Sequence, residues 1–116
     1  MEDETRPPTA QLPSHYEGLA RLQREFDSYQ QQAFPHRPSR FFSLELCGEA
    51  GELANLEKKE WKGRTMAADD FQDEAADVCI ALLNYANSRG IDLASAVEAK
   101  MAEIDRRRLA DESHRP

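Results

Sequence analysis

The stretch Phe42-Ser-Leu-Glu-Leu-Cys-Gly-Glu-Ala-Gly-Glu-Leu-Ala-Asn-Leu56 decides the fold. Phe42, Leu46, Ala50, Leu53 and Leu56 recur every three or four residues, the period of one helix face rather than of a strand. The pattern predicts a helix over 39–60, ended by Gly63. Gly48 and Gly51 lie inside it, and each costs a helix about 1 kcal/mol relative to Ala. Two such costs so close together predict a neighbour that needs the room.

The same period extends outward in both directions. Leu19, Leu22, Phe26 and Tyr29 predict a helix over 16–32, with Ser14 and Glu17 placed as a capping box. Pro35 and Pro38 stop it, since proline lacks the amide donor and restricts the residue before it. Phe71, Ala75, Val78, Leu82 and Tyr85 predict a third helix over 69–88, with Gly90 as its C-terminal cap. Asp92 can cap a fourth, running to Leu109 with Ala96, Val97, Met101 and Ile104 on its apolar side. Met66 reads with the core or an interface. The expected architecture is all-α, a four-helix core over 14–110. A disordered tail at 1–13 and a short tail at 111–116 flank it.

The chain has 116 residues, 22 Asp and Glu against 15 Lys and Arg, and a net charge of −7. Its pI is near 4.9 and its mean hydropathy −0.78. An acidic surface repels phosphate backbones, which disfavours a general nucleic-acid binder but not a nucleotide held through a metal. No apolar run is long enough to span a membrane, and the acidic start Met1-Glu-Asp-Glu4 is unlike a secretory leader. The expectation is therefore a cytoplasmic protein. Cys47 and Cys79 sit in apolar helical patterns and read as two buried, reduced thiols. So short a chain buries little surface alone, which favours oligomerisation.

The sharpest chemical feature is a repeated spacing. Glu49 and Glu52 are three residues apart on the second helix, as are Glu74 and Asp77 on the third. Positions i and i+3 differ by about 60° around the axis, so each pair shares a face. Their neighbours are small and apolar, which predicts partial enclosure. Four enclosed carboxylates would bind protons or a compensating cation. Oxygen-only ligands select a hard ion, Mg²⁺ first and Mn²⁺ next. His15, His36 and His114 all lie in termini or connector, so no zinc cluster is visible. Glu57 and Glu60 beside Lys58, Lys59 and Lys62 read as an ordinary solvated face.

Further residues extend this stripe. Glu45, one turn before Glu49, is a fifth ligand, a water-orienting base or an exposed acid. Asn84 can donate to a sugar hydroxyl or phosphate, or cap a helix contact. Lys100 and Arg107, seven residues apart, can bind phosphates, with Arg106 and Arg108 as alternatives. The competing reading is a basic helix end favourable to the dipole. Trp61, Phe41 and Phe42 are candidate stacking surfaces, and His36 and Arg40 lie upstream of the metal helix.

These residues resemble the all-α nucleoside triphosphate pyrophosphatases, the MazG-like superfamily. Its Glu-x-x-Glu and Glu-x-x-Asp motifs stand here as Glu49-Ala-Gly-Glu52 and Glu74-Ala-Ala-Asp77, separated by 21 residues. The stretch Gly48–Ala54 followed by Trp61 looks like the dCTP pyrophosphatase branch. So do Gly90-Ile-Asp-Leu93, Ala96-Val97, Lys100-Met101 and Arg106-Arg107-Arg108. The resemblance implies Mg²⁺-dependent cleavage between the α- and β-phosphates, with Glu49, Glu52, Glu74 and Asp77 as metal ligands. Lys100 and Arg107 match its phosphate contacts, and one of Glu49 and Glu52 would activate water. It also implies a homodimer or homotetramer, a dimer of dimers, whose sites draw on more than one chain. Gly48 stands where many members carry Glu, and Ile104 where many carry Asn. Two related readings are a phosphoribosyl-ATP pyrophosphohydrolase and a non-enzymatic helical adaptor. A di-iron bundle is disfavoured because Glu-x-x-His pairs are missing.

Overall fold

A computed structural model of the chain describes residues 10–113; residues 1–9 and 114–116, including His114 and most of the expected N-terminal tail, lie outside it. Four helices and no strand occur among the described residues: α1 (Glu17–Ala33), α2 (Ser39–Trp61), α3 (Ala68–Arg89) and α4 (Leu93–Ser113). No helix among them is long and apolar enough to cross a membrane.

The boundaries follow from local chemistry. Phe34, which ends α1, is extended at φ −134° and ψ 159°, the conformation the following Pro35 imposes. The α2 and α3 helices end alike, on glycines in left-handed conformation: Gly63 at φ 97° and Gly90 at φ 68°. Each is a Schellman turn. At the first, the Gly63 amide donates to the Glu60 carbonyl and the Arg64 amide to the Lys59 carbonyl. At the second, Gly90 donates to Asn87 and Ile91 to Ala86. Asp92 caps α4: the Ser95 amide and hydroxyl both donate to its carboxylate, which lowers its pKa. The capping box on α1 does not form. The helix starts at Glu17 after Tyr16, with no side-chain cap, and Glu17 lies 3.5 Å from His15 instead. At the other end α4 continues to Ser113, four residues past Leu109.

The packing is open. The α2–α3 hairpin is the most extensive helix contact; α1 lies on α3, and α4 lies on α1. The core sits in the second half of α3, where Ala81, Leu83, Asn84 and Ala86 are buried with Phe42 of α2, Gln23 of α1 and Ala94 of α4. Gln23 pins this junction. Its amide donates to the Asn87 side chain (2.9 Å) and the Ile91 carbonyl (2.7 Å), and its carbonyl oxygen accepts from the Leu93 amide (3.0 Å). One buried glutamine thereby joins α1 to both sides of the α3–α4 turn.

Several expected core positions face outward. Leu22, Tyr29 and Ile104 are exposed, and Ala50, Ala75 and Ala96 likewise; Leu44, outside the predicted stripe, is 73% exposed. Cys47 and Cys79 are free thiols, but exposed rather than buried, because each lies off the narrow seam where α2 and α3 meet. A Cβ added at Gly48 or Gly51 would meet nothing within 4 Å. The close neighbour those glycines predict is not supplied by the described residues.

Candidate metal centre and adjoining groove

The α2–α3 hairpin carries the acidic pairs into contact. One carboxylate oxygen from each of Glu49, Glu74 and Asp77 lies within 4.8 Å of the other two. These residues are half-buried, yet Glu49 Oε1 and Glu74 Oε1 are sealed from solvent and have no hydrogen-bond partner among the described residues. A buried acceptor without a donor is costly, so such an atom calls for a proton or a cation. Both carboxyls titrate above the ordinary range. For Glu49 the causes are burial, then repulsion from Asp77, Glu52, Glu45 and Asp73. For Glu74 they are burial, the close approach and repulsion of Glu52, and repulsion from Asp77 and Glu49.

The donor set fits a hard divalent ion. All donors are carboxylate oxygens, and opposite ligands around Mg²⁺ stand about 4.2 Å apart, twice its bond length. At most one pair of three ligands can be opposite and the others stand about 3.0 Å apart, so closing the trio from within 4.8 Å takes side-chain adjustments of up to about 1 Å each. Glu52 is exposed and outside the trio, but acts on both of its glutamates. Asp73, which the sequence pattern did not single out, repels Glu49 across the hairpin. Its signal was present: it lies four residues before Asp77 as Glu45 lies four before Glu49.

Beside this cluster the chain forms a groove between the end of α1, the Pro-rich connector and the start of the hairpin. Two adjoining recesses, of about 260 and 430 Å³, share Gln30, Phe34, Pro35, Arg37, Phe42 and Asn84. One aromatic wall is Phe26, Tyr29 and Phe34, with Phe26 and Tyr29 stacked at 6.2 Å and Phe34 edge-on to Tyr29 at 6.1 Å. The other is Phe41, held edge-on at 5.3 Å by the buried Phe42. Ile80 and Asn84 also line it, and so does Glu45, one helical turn from Glu49. His36 lines the smaller recess.

Three of the secondary candidates, Glu45, Asn84 and His36, therefore meet in one groove. Arg40 and Trp61 line neither recess, and Trp61 is 85% exposed at the far end of α2. Lys100 and Arg107 are not brought to the acids within this chain. Both pair with Glu103, at 2.9 and 2.6 Å, on a helix that packs against α1. Of the three successive arginines, Arg108 turns inward: its side chain is 11% exposed and bonds Asp105, whereas that of Arg107 is 71% exposed. The chain matches no protein-family model and none of the curated proteins compared with it.

Proposed function

We propose that the chain is a Mg²⁺-dependent nucleoside triphosphate pyrophosphohydrolase, cleaving between the α- and β-phosphates to release a monophosphate and pyrophosphate. The observation that carries this reading is the trio Glu49, Glu74 and Asp77, with two sealed oxygens that no donor satisfies. A bound Mg²⁺ would neutralise phosphate charge and polarise the phosphorus under attack. Glu49, Glu74 and Asp77 would hold that ion, and Glu52, exposed beside them, would orient the attacking water and accept its proton. The aromatic groove takes the nucleoside. Glu45 and Ile80 lie about one turn from the trio, a distance that a sugar and one phosphate can bridge.

The assembly reading follows from what this chain leaves open. Among the described residues, no Lys or Arg is among the main groups acting on Glu49 and Glu74, while α2 presents Leu44, Cys47, Gly48 and Gly51 outward. A second copy docked there would use the space at the glycines. In that homodimer, or a homotetramer built from it, Lys100 or Arg107 would come from another protomer to meet the leaving phosphates. Nucleotide-pool cleaning in the cytoplasm, on dCTP or a related pyrimidine or modified nucleotide, is the biological role this chemistry suits.

The test is a panel of nucleoside triphosphates with Mg²⁺, products resolved as monophosphate, pyrophosphate, diphosphate and phosphate. Monophosphate and pyrophosphate in equal amounts, lost in Asp77→Asn with helicity intact, is the expected result. Diphosphate with phosphate, or turnover undiminished in Asp77→Asn, overturns the assignment.

A further inference from the structure

We propose that Arg37 selects the base, favouring one that presents two adjacent hydrogen-bond acceptors on one edge. Cytosine does so with O2 and N3, guanine with O6 and N7; adenine and thymine do not. The inference rests on the groove being the nucleoside recess of the proposed enzyme, and it adds a residue and a rule of choice.

Three observations converge on Arg37. It lines both recesses, so its side chain borders the whole groove rather than one end. Its guanidinium carbon lies 4.8 Å from the centre of the Phe41 ring, and Phe41 in turn stands edge-on against buried Phe42. The Arg37–Phe41–Phe42 stack thus fixes a flexible side chain to the core from one direction. Finally, Arg37 has no carboxylate partner among the described residues; Asp27, which lines the smaller recess with it, is not within ion-pairing distance. Its forked donors are uncommitted.

A guanidinium held over the Phe41 ring keeps N–H donors free on the side away from it, and two of them match a pair of acceptors in plane. A base stacked on either aromatic wall would turn its edge, rather than its face, toward the polar lining of the groove. Adenine and thymine offer an acceptor beside a donor, so one N–H of the fork would oppose another. Asp27 and Asn84 border the same space and can accept from an exocyclic amine, which cytosine and guanine both carry.

The experiment compares wild type with Arg37→Ala, Arg37→Lys and Phe41→Ala, using two readouts. The first is kcat/KM for dCTP, dGTP, dTTP and dATP with Mg²⁺. The second is equilibrium binding of the four monophosphates in EDTA, which needs neither metal nor turnover. Wild type should prefer the cytosine or guanine nucleotide by about 10- to 100-fold, as expected of a bidentate arginine contact. Arg37→Ala and Arg37→Lys should both erase that preference while changing dTTP and dATP by less than about threefold, since lysine restores the charge but not the fork. Phe41→Ala should weaken the preference in the same direction. Whether dCTP or dGTP leads tells which acceptor pair is read. An equal loss for all four nucleotides in Arg37→Ala, no loss, or a wild-type preference for adenine or thymine overturns the inference. Selective monophosphate binding without hydrolysis would sink the enzymatic reading and leave the role of Arg37 standing. Hydrolysis without base choice would do the reverse.

Discussion

Replacing Glu49 by Gln should separate metal binding from folding, because the two respond in opposite directions. Glu49 Oε1 is sealed and unpartnered, and its carboxyl is pushed up by burial and by four neighbouring acids. Without metal at pH 7, the variant removes a charge that nothing offsets and keeps the side chain's shape. Its melting temperature in EDTA should equal or exceed that of wild type. With metal the order reverses. An ion present at 100 times its Kd stabilises the native state by about 2.7 kcal/mol. About 100 residues unfold with an entropy of about 0.21 kcal/mol/K, so wild type should gain about 13 °C. Glu49→Gln loses a ligand from a set of three and should gain only a small part of that. The assay is thermal unfolding in EDTA and across a MgCl₂ titration at fixed protomer concentration, with Glu45→Gln as a control outside the trio. A Glu49→Gln variant that melts several degrees below wild type in EDTA, or keeps the full Mg²⁺ shift, refutes the reasoning.

Other outcomes follow from the same geometry. The raised carboxyls of Glu49 and Glu74 bind more protons folded than unfolded, so their contribution to metal-free stability is present below the ordinary value of 4.5 and is lost as pH rises through their folded pKa. That loss should flatten in the Glu49→Gln/Glu74→Gln double variant, measured by denaturant unfolding from pH 4 upward, while wild-type Mg²⁺ affinity rises over the same window. Gln23→Leu leaves the Ile91 carbonyl, the Leu93 amide and Asn87 without their partner, and should cost about 2–4 kcal/mol by urea titration. Arg107→Ala should shift stability by less than about 0.5 kcal/mol, since its ion pair is exposed, yet reduce turnover. Gly51→Leu should lower the apparent mass in sedimentation; an unchanged mass would mean that no copy docks on that face of α2.

The helices were legible because their period is strong and their stops are chemically explicit: Pro35 after Phe34, Gly63 and Gly90 in left-handed turns, Asp92 under Ser95. The acidic trio was legible because three-residue spacing fixes a face whatever the tertiary structure. What failed was depth. Periodicity says which residues share a face but not whether anything covers it, so Cys47 and Cys79 were placed inside and lie outside. The Ser14 cap failed because the motif tests spacing while capping needs the backbone to turn at that residue, and it turns at Tyr16. The groove was visible only in fragments. His36, Asn84 and Glu45 belong to three segments, and what joins them is the connector that folds α1 back onto the hairpin.

The charge distribution ties these points together. Among the described residues, the repulsions on Glu49 come from Asp77, Glu52, Glu45 and Asp73, and those on Glu74 from Glu52, Asp77 and Glu49. The ion pairs of α4 are closed locally, Lys100 and Arg107 on Glu103 and Arg108 on Asp105. A monomer so arranged concentrates negative potential where the proposed substrate's triphosphate must sit. A divalent ion offsets two of those charges, and the substrate brings several more of the same sign. The remaining imbalance needs cations close to the phosphates, and the local pairs of Lys100 and Arg107 are exposed and weak enough to exchange. In the proposed assembly, the open face of α2 and the distant cations of α4 would answer one requirement. If the enzyme works as proposed, turnover per protomer should fall with dilution below the dimer's dissociation constant, and mixing Asp77→Asn with Arg107→Ala protomers should restore part of the activity that each lacks. Mixed protomers no more active than either parent would place the phosphate-binding cations within one chain and require α4 to move.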